Sequence, residues 1–131
     1  MRIFAADQET ISVHVRIEGF SDDNGLSRLL IYGQKKGFPD STADALLAYT
    51  NPIKNKTADF YLKLVSGRYA FSVLHDRNVN GKMDKTWYGK PVEGFGASNN
   101  PPSETGPPAF DECVLEIGNN FNTLLIRIHY L

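Results

Sequence analysis

The chain has 131 residues, 41% of them hydrophobic and 22% charged, which suffices to close one core without covalent staples. Its single cysteine excludes an intrachain disulfide. The net charge of -1, with Lys and Arg scattered along the chain, gives no electrostatic reason to expect nucleic acid or an anionic membrane as partner. No run approaches the roughly 18 apolar residues that span a bilayer.

Residues 1–9 read as an N-terminal stub ahead of one domain at 10–131. Ala5 and Ala6, just before polar Asp7 and Gln8, resemble the neighbourhood of a signal-peptide cleavage and suit a loosely packed start equally well. From Thr10 to Glu18 the residues alternate strictly. Ile11, Val13, Val15 and Ile17 share one face, which predicts a strand with that face buried. A turn follows through Gly25, and Leu26 to Tyr32 predicts a second strand. Ser41 stands three residues before Asp44, ahead of Ala45-Leu46-Leu47-Ala48-Tyr49, a pattern that predicts a helix of about two turns stopped by Pro52. Ala58 to Leu64 alternates again, and so does Arg68 to His75. The link Ser66-Gly67 between them predicts a β-hairpin.

Regular structure is hard to find from Asp76 to Asp111, where five glycines and five prolines fall. A loop this long in a compact domain is usually functional, and Trp87, Tyr88, Val92, Phe95 and Phe110 would anchor it. Cys113–Ile117 and Thr123–Tyr130 close the chain as two strands, the last facing inward through Leu124, Ile126, Ile128 and Tyr130. Six short strands, or seven with part of the loop, suit an all-β two-sheet sandwich.

The loop carries the chemistry. Asp76, Asn78 and Asn80 sit at alternate positions, Gly81 follows, then Lys82 and Asp84. This is the spacing of a calcium loop, with Lys82 contributing its backbone carbonyl and Asp84 the ninth position. The twelfth position, where such loops carry a bidentate Glu, holds Trp87 instead. Glu93 is the nearest carboxylate able to complete the shell. Arg77, Lys82 and Lys85 offset the charge, so a dissociation constant of roughly 10⁻⁴ to 10⁻³ M is expected. Asn80-Gly81 also suits a type I′ turn, with Asp76 and Asn78 satisfying backbone donors and no metal involved.

Catalytic readings are weaker. Cys113 lies in a predicted strand among apolar neighbours, as a small core residue would. His14 and His129 fall on outward strand positions. His75 beside Asp76 lacks a nucleophile.

The stretches Ser66-Gly67-Arg68-Tyr69-Ala70, His75 to Asp84, Gly89 to Asn100 and Pro107-Pro108-Ala109-Phe110-Asp111 together resemble the domain-of-unknown-function 2141 family, from Thr10 to Tyr130. The resemblance implies an immunoglobulin-like or prealbumin-like antiparallel sandwich with a long ordered loop. It also implies a bacterial protein exported behind a signal peptide to the periplasm or cell exterior, which favours a trimmed N-terminus. The family has no established activity, so no catalytic residue carries over. Its motif concentrates on Asp76, Asn78, Asn80, Gly81, Asp84, Glu93, Ser98 and Asn99. The expectation is a non-enzymatic extracytoplasmic module with a calcium-stabilised loop and a protein or carbohydrate ligand. The alternative is a hydrolase on a transthyretin-like sandwich with its site in residues 75–111. The Tyr-Arg-Gly-Ser ending of hydroxyisourate hydrolases is absent, since the chain ends Arg127-Ile128-His129-Tyr130-Leu131.

Overall fold

The computed structural model of the protein describes residues 9–77, 94–102, 108–121 and 123–130. They form an all-β sandwich. Strand β1 (Thr10–Glu18) is the centre of one sheet, between β4 (Thr57–Val65) and β8 (Thr123–Arg127). The second sheet runs β3 (Leu47–Pro52), β2 (Leu26–Tyr32), β5 (Gly67–Asp76), β6 (Phe95–Ala97), and β7 (Leu115–Ile117) pairs with the start of β5. A one-turn helix α1 (Phe110–Cys113) precedes β7.

The alternation in β1 does what its period dictates. Val13, Val15 and Ile17 are buried against Phe60 and Leu64 of β4, Leu29 and Ile31 of β2, and Phe71 and Val73 of β5. Removing each such side chain from water contributes about 1.5–3 kcal/mol. All pairings between named strands are antiparallel except β1 with β8, which is parallel from His14↔Thr123 to Glu18↔Arg127.

Three local expectations are corrected. The link Ser66-Gly67 makes no hairpin: β4 pairs with β1, whereas β5 crosses to the other sheet and pairs with β2. Burial explains the crossing. β4 alternates between buried and exposed, while every residue of β5 from Tyr69 to Asp76 is buried, so β5 belongs at the centre of a sheet covered on both faces. Tyr69 fixes the bend by donating its hydroxyl to the Val65 carbonyl at 2.5 Å.

The helix expected after Ser41 shrinks to a 3-10 turn at Thr42–Asp44, and the remainder becomes β3. Two helical turns are marginal alone, whereas residues 47–52 pair one by one with β2 and cover an edge that would otherwise be open. Cys113 ends α1 rather than lying in a strand.

A second, smaller cluster explains why β5 is covered on its outer face. Tyr32, Phe38 and Phe110 stack edge to face at 5.2 and 5.8 Å, and Phe38 and Phe110 lie over Ala70, Ala97 and Cys113. The two sheets are also sewn at one corner: Phe95 and His129 exchange backbone hydrogen bonds of 3.0 and 2.8 Å. Gly96 permits this approach, because a Cβ there would lie 2.5 Å from the Arg127 carbonyl.

Candidate functional site at the end of the central strand

His75 and Asp76 end β5, and both are fully buried. Adjacent strand residues point to opposite faces, so the two do not pair with each other. His75 pairs across the sheet with Ser27 and faces the core, edge-on to Phe20 at 5.2 Å. Asp76 pairs with Leu26 on the opposite face.

The His75 ring spans two fixed partners. Its Nε2 lies 2.7 Å from the Asn24 carbonyl, which can only accept, so Nε2 carries the proton. In the neutral ring Nδ1 then accepts from the Tyr130 hydroxyl at 2.7 Å, and that oxygen in turn accepts from the Ser21 N–H at 2.9 Å. Asp22 stands 3.7 Å from Nε2 and 3.2 Å from Arg77 Nη2. The backbone N–H of Asn24 holds the Asp22 carboxyl below its ordinary value, with Arg77 acting in the same direction.

The segment 20–25 is pinned over this end of the sandwich from two sides. Asp23 accepts the N–H groups of Asn55 and Lys56 at 2.9 and 2.7 Å, and both residues are left-handed, with φ of 54° and 62°. Gly25 has φ +74°, and a Cβ there would come within 2.3 Å of the Asp76 carbonyl, so only glycine suits that turn.

Asp76 is a buried carboxylate with Arg28 Nη2 at 3.4 Å from its Oδ2. Charge-assisted bonds usually close to about 2.7–2.9 Å, so the guanidinium compensates the charge without a tight fork. Among the described residues Arg28 Nε has no hydrogen-bond partner. Of the six metal candidates, Asp76 is described. Asn78, Asn80, Lys82, Asp84 and Glu93 lie outside the described residues, as do the aromatic anchors Trp87 and Tyr88. Among the described residues no three His, Cys, Asp or Glu side chains gather as a metal site. The two ends of the intervening segment are held together, because His75 N–H donates to the Gly94 carbonyl at 2.8 Å and Leu74 pairs with Phe95.

Ser98 and Asn99 bind the scaffold instead. Ser98 is fully buried, accepts the Phe71 N–H at 3.0 Å and donates to the Cys113 carbonyl at 2.6 Å. Asn99 Nδ2 reaches the Glu112 and Val114 carbonyls, both at 3.2 Å. Asn100 acts as a strand partner for β8, accepting the Arg127 N–H at 2.9 Å and donating to the Leu125 carbonyl at 3.0 Å.

The nucleophile reading of Cys113 fails on burial. The side chain is inaccessible, and desolvation first, then Glu112, pushes its thiol up to about 12, far from the thiolate that attack requires. Sequence reasoning missed the partners of His75, because Asn24 and Tyr130 are distant in the chain and offer carbonyl and hydroxyl groups without a motif. It also read His14 as a solvated histidine. His14 is half-buried, with Nε2 2.7 Å from Asp59 Oδ1 and its ring stacked on Tyr61.

No curated protein and no solved structure matches the chain. A family model described as "Uncharacterized protein conserved in bacteria (DUF2141)" matches residues 15–124. The match spans both sheets and the segment between β5 and β6, and the chain therefore belongs to this bacterial family.

Proposed function

We propose that the protein is a non-catalytic binding module of an exported bacterial protein, and that its ligand surface is the segment between β5 and β6, stiffened by calcium. The observation that carries this reading is the clamp at the base of that segment. His75 N–H bonds to the Gly94 carbonyl at 2.8 Å, and the buried Asp76 starts the segment from a rigid central strand. Loops presented by rigid scaffolds are where binding function concentrates. Asp76, whose carboxylate Arg28 approaches at 3.4 Å, suits calcium as a hard oxygen donor. The other donors would come from Asn78, Asn80, the Lys82 carbonyl, Asp84 and Glu93. Bound calcium would supply local order and charge compensation and no chemistry.

The test is thermal unfolding with calcium and with a chelator. With a dissociation constant of about 10⁻⁴ to 10⁻³ M, roughly 10 mM calcium stabilises the fold by about 1.4–2.7 kcal/mol. Asp84→Ala should remove that increment. A wild-type melting temperature identical in calcium and in chelator overturns the calcium part of the reading.

A further inference from the structure

On the outer face of the β4–β1–β8 sheet lies an open groove of about 470 Å³, lined by residues of these three strands. Its size falls within the roughly 300–1,000 Å³ typical of small-molecule sites. The side chains of Val13 and Leu62 point into the core, so the floor is strand backbone. It is therefore preformed.

The groove's main wall is Tyr61, which leaves 77% of its surface in solvent. Its ring is nonetheless held in place. Tyr61 is directly opposite His14 in the β1–β4 register, and the two rings stack with centroids 4.5 Å apart and planes 9° off parallel. His14 is held in turn by Asp59 at 2.7 Å, and Asp59 by Arg16 Nη1 at 3.2 Å. An exposed aromatic fixed by a chain of three partners has already lost the rotamer freedom that binding would otherwise cost it.

The remaining lining sets the ligand chemistry. Ser12 and Thr123 bring hydroxyls, and Lys63 brings an ammonium. Among the described residues Lys63 makes no ion pair and no carboxylate lines the groove. Asp59 is engaged by His14 and Arg16. A single cation is too little for a nucleic-acid backbone, and the absence of acidic lining disfavours a metal or a basic peptide. One aromatic face, two hydroxyls and one unopposed positive charge complement a sugar ring that carries a carboxylate. The C–H face of a pyranose suits the negative face of the Tyr61 ring, its hydroxyls suit Ser12 and Thr123, and the carboxylate suits Lys63.

We propose that this groove is a second binding site, independent of the β5–β6 segment, for an acidic saccharide of the hexuronate type. The probes are a short oligomer of galacturonic acid and its methyl ester, titrated calorimetrically in chelator so that calcium plays no part. The acid should bind, and the ester about threefold more weakly, as an exposed charge pair implies. Tyr61→Ala should weaken both by about tenfold, while Tyr61→Phe keeps binding. Lys63→Met should abolish the preference for the acid. Tyr61→Phe and Lys63→Met should melt with the wild type, whereas Tyr61→Ala gives up the stack on His14 and melts slightly lower with the fold intact. No binding of the acid, binding unmoved by Tyr61→Ala, or an ester bound as well as the acid overturns the proposal.

Discussion

His75 Nδ1 lies 2.7 Å from the hydroxyl of Tyr130, a residue 55 positions later in the chain. This contact ties the end of the central strand to the segment that follows β8, and through the Ser21 N–H it also holds the 20–25 turn. Three separate parts of the chain thus meet at one phenol oxygen.

Tyr130→Phe keeps the ring and deletes that oxygen. His75 Nδ1 is buried and loses its donor, while the Ser21 N–H can turn to water. The expected loss is about 1–2 kcal/mol of unfolding free energy, read from urea denaturation. An unchanged midpoint would mean that water replaces the hydroxyl without cost.

Ser98→Ala should be worse, because the Phe71 N–H and the Cys113 carbonyl are both left unpaired in a fully buried place. A loss of about 1–3 kcal/mol is expected. Ser98→Thr keeps the hydroxyl and both of its bonds and should lose less than Ser98→Ala. Denaturant midpoints for the two variants, measured side by side, check the order.

Gly96→Ala drives a Cβ to within 2.5 Å of the Arg127 carbonyl. Since that neighbour is backbone, β6 and β8 must separate at the corner where the sheets are sewn. Overpacking of this kind costs about 1–3 kcal/mol, and faster exchange of the Phe95 and His129 amide protons should accompany it.

Cys113 should resist alkylation in the native protein and react once the chain is unfolded in denaturant. Burial raises its folded value from the ordinary 9.0 to about 12. The unfolded chain therefore releases the thiol proton first as pH rises. The stability it contributes is complete below about pH 9 and is lost as pH climbs toward 12. Cys113→Ala should flatten that part of the stability profile relative to wild type. Rapid native-state labelling at neutral pH would contradict the burial argument.

Thr10–Glu18 was readable because period-2 patterning fixes which side chains enter the core, and Leu26–Tyr32 because it is a short apolar run between turns; both match observed strands at both ends. Pairing was not readable. Ser66-Gly67 has hairpin chemistry, yet the decision between hairpin and crossing rests on the burial of Ala70, Ser72 and Leu74, which depends on distant segments: Phe38 and Phe110 pack against Ala70, and Pro39 lies against Ser72. Ala45 to Tyr49 carries helical propensity, and the open edge of β2 overrode it. At the candidate site, sequence located His75 and Asp76 but not their partners, since adjacency along a strand sends the two side chains to opposite faces. The stacked His14 and Tyr61 required the β1–β4 register, which no local pattern contains.

The central claim, that the segment leaving Asp76 is a calcium-stiffened binding surface, is tested most directly by a crystal structure determined in calcium. The account predicts one ion with six or seven oxygens at about 2.4 Å, Asp76 among the donors. A segment without an ion in saturating calcium, with the Asp76 carboxylate held by Arg28 and no metal, would contradict it.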